Sequence, residues 1–93
     1  MVTAFVLINA KRDMIPETAE DLTAVEGVAE VYSVAGEWDL IAVIRVHTNQ
    51  ELAEVVTEQM LRLEGIKNTE TLIAFRAYSS YDLERMFSIG MEE

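Results

Sequence analysis

A seven-residue pattern recurs in this chain at an offset of 38 residues. Leu22-Thr23-Ala24-Val25-Glu26-Gly27-Val28 is echoed by Met60-Leu61-Arg62-Leu63-Glu64-Gly65-Ile66. Each copy reads as the last turn of an amphipathic helix, then a glycine, then the first residue of a strand. Glycine just past a helix end is expected in the left-handed C′ conformation, which it enters without a Cβ clash. The same offset sets the apolar run 4–8 beside the run 42–46. Two copies of strand–helix–strand therefore account for residues 2–78. The order β-α-β-β-α-β predicts an α+β, ferredoxin-like fold, an antiparallel sheet with both helices on one face.

The strands are expected at about 2–10, 28–35, 38–47 and 67–78. The first helix, about 16–26, opens with Pro16, favoured in a first helical turn. Its apolar positions Ala19, Leu22 and Val25 follow Ile15 at three-to-four spacing. The second helix carries a capping-box pattern, Thr48-Asn49-Gln50-Glu51. Leu52, Val55, Val56, Met60 and Leu63 then make one apolar stripe. Residues 79–93 read as a C-terminal helical extension, capped by Ser79 or Ser80, with Leu83, Met86, Phe87 and Gly90 on one side. The whole of 1–93 is read as a single domain.

Both faces of this sheet are apolar. On strand three, Trp38, Leu40, Ala42, Ile44 and Val46 share one face, and Ile41 and Val43 share the other. Strand one divides Val2, Ala4, Val6 and Ile8 from Phe5 and Leu7, and strand four divides Ile73 and Phe75 from Leu72 and Ala74. A sheet with helices on one face and water on the other would alternate apolar with polar. The second face is therefore expected to be covered by another copy, giving a dimeric α+β barrel.

The charge excludes several functions. Seven basic residues stand against seventeen acids, for a net charge of −10. Nucleic-acid affinity comes mostly from Lys and Arg on phosphates, so direct binding to DNA or to an anionic membrane is not expected. The absence of Cys and the single histidine, His47, leave no basis for a thiolate or His-rich metal centre. His47 ends strand three beside the Thr48 cap, where a strand-end role outweighs that of a base. The apolar start lacks the basic region and cleavage site of an export signal, so a soluble cytoplasmic protein is expected. No nucleophile elbow, P-loop or dinucleotide glycine pattern is present, and no cofactor is indicated.

The remaining candidate chemistry lies in Val34-Ala35-Gly36-Glu37-Trp38-Asp39-Leu40-Ile41. Gly36 suits a tight hairpin turn. Asp39 opens an apolar strand, although Asp is depleted in strands. Its carboxylate needs solvent, an Arg, a backbone amide or a ligand's cation. One reading is a solvated turn residue. The other is a binding residue, with Asp39 holding an ammonium group and amides near Gly36 receiving a carboxylate. Thr69 and Thr71, entering strand four, are placed near the same end. On this reading Asp39→Ala removes only a rim acid and leaves the fold intact.

The segments Val34-x-Gly36-x-Trp38-Asp39-Leu40-Ile41, Leu61-x-Leu63-Glu64-Gly65-Ile66 and Thr69-x-Thr71 resemble the effector (RAM) domain of the leucine-responsive regulator family, Lrp/AsnC, over residues 2–78. The resemblance implies a dimer whose sheets close together, with dimers joining into a larger ring-like oligomer. It also implies amino-acid effectors bound between dimers, with Val34, Gly36, Asp39, Thr71, Leu72 and Ile73 as the ligand-contacting set. Family regulators carry an N-terminal helix-turn-helix domain, whereas this sequence starts at the first strand. The expectation is a stand-alone amino-acid-binding regulatory module, acting through oligomer assembly or by joining a DNA-binding relative. The alternative is a small cofactor-independent monooxygenase or isomerase of the same barrel type, for which Trp38, Tyr32, Tyr78 and Asn9 supply candidate side chains. An ACT-type amino-acid domain shares the element order but places glycine between strand one and helix one. Here that link is Lys11-Arg12-Asp13-Met14-Ile15-Pro16.

Overall fold

Strand β1 (Val2–Ala10) lies inside a four-stranded sheet, flanked by β3 (Leu40–Val46) and β4 (Ile66–Ile73), with β2 (Val28–Ser33) beyond β3. All three pairings are antiparallel. The computed structural model describes residues 1–80. The expected C-terminal helix falls almost wholly on 81–93, outside the described residues. Helix α1 (Ile15–Thr23) follows a short 3₁₀ turn, Arg12–Met14, and α2 (Asn49–Glu54) follows β3. This is the α+β, ferredoxin-like arrangement that the doubled motif predicts.

The register confirms the division of faces. Ala4 pairs with Ile44 and Ile73, and Val6 with Ala42 and Thr71. These rows belong to the helix-covered face, where Ala4, Val6, Ile8, Leu40, Ala42 and Ile44 are fully buried. Leu22, Leu52, Val55 and Met60 from the helical side complete that core. Phe5 pairs with Val43 and Leu72 on the opposite face, which no described helix covers. Phe5, Tyr32 and Leu72 remain exposed there.

β1 keeps its expected limits, and the other three strands end short of theirs. β4 ends at Ile73, and one further bond, from the Ala74 amide to the Thr3 carbonyl (2.9 Å), uses up the start of β1. Beyond it, Phe75 is fully exposed. Helix α1 ends at Thr23, and its continuation to 26 becomes tight turns: the amides of Ala24 and Val25 donate to the carbonyls of Asp21 and Leu22. Among the described residues no helix is long and apolar enough to cross a membrane.

The second helix departs further from its even stripe. Its cap forms as expected on one side, with the Glu51 amide donating to Thr48 Oγ1 (3.1 Å). The Glu51 carboxylate accepts from the His47 amide (2.9 Å), one residue before the cap. After Glu54 the chain widens into a π-helical turn, Val55–Gln59, and then tightens to a 3₁₀ turn, Met60–Arg62. The Met60 amide reaches back to the Val55 carbonyl, so these two residues, five apart, are both buried. Thr57 Oγ1 donates to the Ala53 carbonyl (2.6 Å), the back-bond that disturbs a regular helix.

The two repeated glycines are present for different reasons. Gly27 has φ +98°, as a left-handed terminator requires, although it sits in the turn beyond α1. Gly65 has no positive φ, which corrects the expectation of a second left-handed C′ residue. Instead, a Cβ on Gly65 would lie 1.9 Å from Thr18 Oγ1 and 3.2 Å from Thr18 Cβ. Thr18 is buried in α1. Gly65→Ala is therefore expected to destabilise the domain by about 1–3 kcal/mol through overpacking alone. Adding Thr18→Ala should return part of that loss, and urea denaturation of the two variants should show this non-additivity. Full additivity would show that contact with Thr18 is not why glycine stands there.

Candidate functional site

The β2–β3 hairpin and the end of β1 create the polar site. Gly36 takes φ +122° with open space around it, so its role is conformational. Asp39 is then held between two strands: its amide donates to the Ile8 carbonyl (2.9 Å), and its carbonyl accepts from Val34 (3.0 Å). The carboxylate Oδ2 accepts the Ala10 amide at 2.9 Å in a half-buried setting. A backbone amide is thus one partner of this acid, and Asp39 is more than a solvated turn residue. This contact links positions far apart in sequence, so only the tertiary pairing reveals it.

Around this carboxylate lies a pocket of about 180 Å³, lined by Asn9, Ala10, Arg12, Ile15, Asp39, Lys67 and Asn68. The 3₁₀ turn at the end of β1 brings Arg12 to it. A register shift brings Lys67: Asn9 pairs with Asn68 and Ala10 with Ile66, leaving Lys67 as the extra residue of a β-bulge. Sequence reasoning singles out neither cation. Their only signal is the adjacency of Lys11 and Arg12, and nothing in the sequence marks the bulge.

The expected ligand-contacting residues do not converge within one chain. Val34, Gly36 and Asp39 belong to the hairpin beside Ile8–Ala10. Thr71, Leu72 and Ile73 pair with Val6, Phe5 and Ala4 on the other side of β1, roughly 10 Å further along at strand spacing. Within that trio the sheet pleat puts Leu72 on the uncovered face with Phe5. Thr71 and Ile73 line an apolar groove of about 480 Å³ against Leu52, Ala53, Val56 and Thr57 of the second helix. Thr69 pairs with Ile8 and is the strand-four threonine nearer Asp39's row. The sequence suggests Thr69 and Thr71 at one end of the sheet with Asp39, and for Thr71 the register corrects that.

Other polar groups have local partners. On the uncovered face the Tyr32 hydroxyl donates to Glu30, and Arg45 Nη1 lies 3.4 Å from the same carboxylate. The Tyr32 hydrogen bond holds the Glu30 carboxyl below its ordinary range, opposed in part by desolvation and reinforced by Arg45. The same bond pushes the Tyr32 phenol up. His47 lines a cleft of about 410 Å³ at the opposite end of β3 with Glu26, Arg45, Glu51 and Glu54. Among the described residues no three His, Asp or Glu side chains are grouped to hold a metal ion. The side chains suggested for an enzyme are scattered: Tyr32 on the sheet face, Asn9 in the small pocket, Tyr78 exposed beyond β4.

The fold recurs in known proteins. A solved structure of AsnC from E. coli superposes with a TM-score of 0.78 at 23% identity, over 84% of this chain and 53% of that one, which establishes the shared fold. A solved protein of Thermus thermophilus is 48% identical with a TM-score of 0.80, over 85% of this chain and 99% of that one. An uncharacterized HTH-type transcriptional regulator of Pyrococcus furiosus is 37% identical over 76 residues, 78% of this chain and 51% of that protein. The chain thus spans about half the length of the curated relatives it matches. The family described as the Lrp/AsnC ligand binding domain matches residues 3–83. With that match across most of its length, the chain belongs to the Lrp/AsnC family, in its ligand-binding domain.

Proposed function

We propose that this domain binds a free amino acid and passes the signal on through its assembly, without catalysing a reaction. The observation that carries this reading is the Asp39 carboxylate, anchored by the Ala10 amide at the mouth of a pocket in a ligand-binding family. Oδ2 takes the amide, and Oδ1 has no protein donor among the described residues, so it is available for an ammonium group. The separation of Asp39 from Thr71–Ile73 fits a site completed by a second chain. The uncovered apolar face supplies a surface for a first partner copy. Dimers joined edge to edge would then bring one chain's β4 residues towards another's hairpin. A DNA-binding relative offering the same sheet face would be a suitable partner, consistent with relatives named as transcriptional regulators.

A thermal-shift screen of the twenty amino acids is the first test, because a ligand bound only by the native state raises its stability. The decisive variant is Asp39→Asn, which keeps an oxygen for the Ala10 amide and removes the charge. It should leave folding and oligomeric state unchanged and weaken the ligand by about 1.5–3 kcal/mol in calorimetric titration. Wild-type affinity in this variant would make Asp39 a purely structural residue. Asp39→Ala is a poorer probe than the sequence suggests. It orphans the Ala10 amide and should cost about 1–3 kcal/mol of stability as well.

The 93 residues alone should not bind DNA specifically, given the net charge of −10. A gel shift by the pure protein that is sequence-selective and survives raised salt would contradict this. A shift that needs a DNA-binding relative would support mixed assembly.

A further inference from the structure

We propose that Arg12 and Lys67 are the carboxylate-receiving side of the Asp39 pocket, which makes this end of the sheet a site for a small zwitterionic α-amino acid. The inference rests on the amino-acid reading above and adds residues and a ligand size to it. Three separate features of the backbone converge here. The β-bulge opposite Asn9 and Ala10 sets Lys67 apart from the ladder, a device that re-aims a side chain. The 3₁₀ turn at the end of β1 delivers Arg12. The Ala10 amide, beside the bulge, is the one that fixes Asp39.

Charge makes the grouping notable. The chain has seven basic residues against seventeen acids. Lys11 and Arg45 are paired, with Glu64 and Glu30. Arg12 and Lys67 make no ion pair within 4 Å among the described residues, yet both line one small pocket. In so acidic a protein two unpaired cations at one depression provide a local site for an anion. Asn9 and Asn68 add amide donors to the same wall. The Asp39 carboxylate lines the same pocket, so the pocket offers both a negative and a positive group. An α-amino acid presents an ammonium and a carboxylate on one carbon, which matches that pairing. The apolar part of the lining, Ala10 and Ile15, and the volume of about 180 Å³ restrict the ligand's side chain to a small, apolar one.

The test uses L-alanine, with propionate lacking the ammonium and L-alaninamide lacking the carboxylate. Binding is followed on the full chain by amide chemical shifts, with Ala10, Asp39, Lys67 and Asn68 as local reporters. L-Alanine should shift these amides saturably. L-Alaninamide and propionate should each bind at least about tenfold more weakly, as loss of a charge-assisted contact requires. Arg12→Gln and Lys67→Met should each weaken L-alanine about tenfold, and Arg12→Lys should restore part of the loss. Both residues are exposed, so these variants should keep the wild-type thermal midpoint. Failure of wild type to bind L-alanine overturns the proposal, and so does full affinity in the Arg12→Gln/Lys67→Met double variant. A larger amino acid that needs Asp39 but ignores both cations would overturn it while leaving the proposed function intact. Absence of binding by all twenty amino acids would remove both. L-Alanine binding that needs the cations but survives Asp39→Asn would keep the carboxylate assignment and discard that of Asp39.

Discussion

Ile44→Asp is expected to unfold the domain at neutral pH. Ile44 is fully buried in the centre of the helix-covered face, paired with Ala4 on β1 and next to β2 through Val28. A carboxylate there has no cation beside it in the core: among the described residues the buried ones are apolar except for Thr18. It would lose the burial of the isoleucine and gain an unpaired charge that costs several kcal/mol. The sum, roughly 5 kcal/mol or more, matches the whole stability of a small domain. Far-UV circular dichroism and urea denaturation provide the measurement. Ile44→Val, which removes one methylene, should cost only about 0.5–1.5 kcal/mol in the same assay. A cooperative urea transition for Ile44→Asp near the wild-type midpoint would mean that the sheet's two faces have been assigned the wrong way round.

The division of residues between the two faces was legible in the sequence, because a strand has a period of two and one residue fixes its neighbours; which face the helices cover was not. Leu40, Ala42 and Ile44 alternate with Ile41 and Val43, and the register places them as the alternation requires. The repeat around Gly27 and Gly65 likewise gave the element order. What it could not give was the reason for each glycine, since Gly65 answers to a buried threonine on another element. The π-helical turn was hidden for a similar reason. Leu52, Val55, Val56, Met60 and Leu63 fit an α-helical stripe well enough that nothing marks the extra residue.

The candidate site was legible only where local rules act. Asp at a strand root and Gly in a turn are local anomalies, so Asp39 and Gly36 stood out. Lys67 is set apart by a shift in pairing between β1 and β4, and pairing depends on the whole sheet. The Ala10 amide is invisible in any sequence, because every residue except proline has one. Polar sites at strand ends are assembled largely from such groups, so a sequence shows the acid and conceals what holds it.

The uncovered face leads to the last expected result: Phe5→Asp should leave a folded chain that no longer self-associates. Phe5 is 39% exposed, Leu72 across from it 50% and Tyr32 49%. Val43, the other cross-strand neighbour of Phe5, is already buried. Apolar side chains thus cross the sheet from β3 to β4 without a described helix above them, and such a patch favours burial against a partner. The sequence alone left open whether Ile44 or Phe5 lies on the face away from the helices, and burial puts Phe5 there. An aspartate at position 5 can stay hydrated in the single chain, so folding should lose little beyond contacts with Val43 and Leu72. In a symmetric dimer each substitution counts twice, and two carboxylates would be dehydrated at one interface. Association should weaken at least about a thousandfold, near 4 kcal/mol. Sedimentation velocity at micromolar concentration should show wild type as a dimer or larger and Phe5→Asp as a monomer with an unchanged circular dichroism spectrum. A wild type that sediments as a stable folded monomer would show that water, and not a second chain, meets this face.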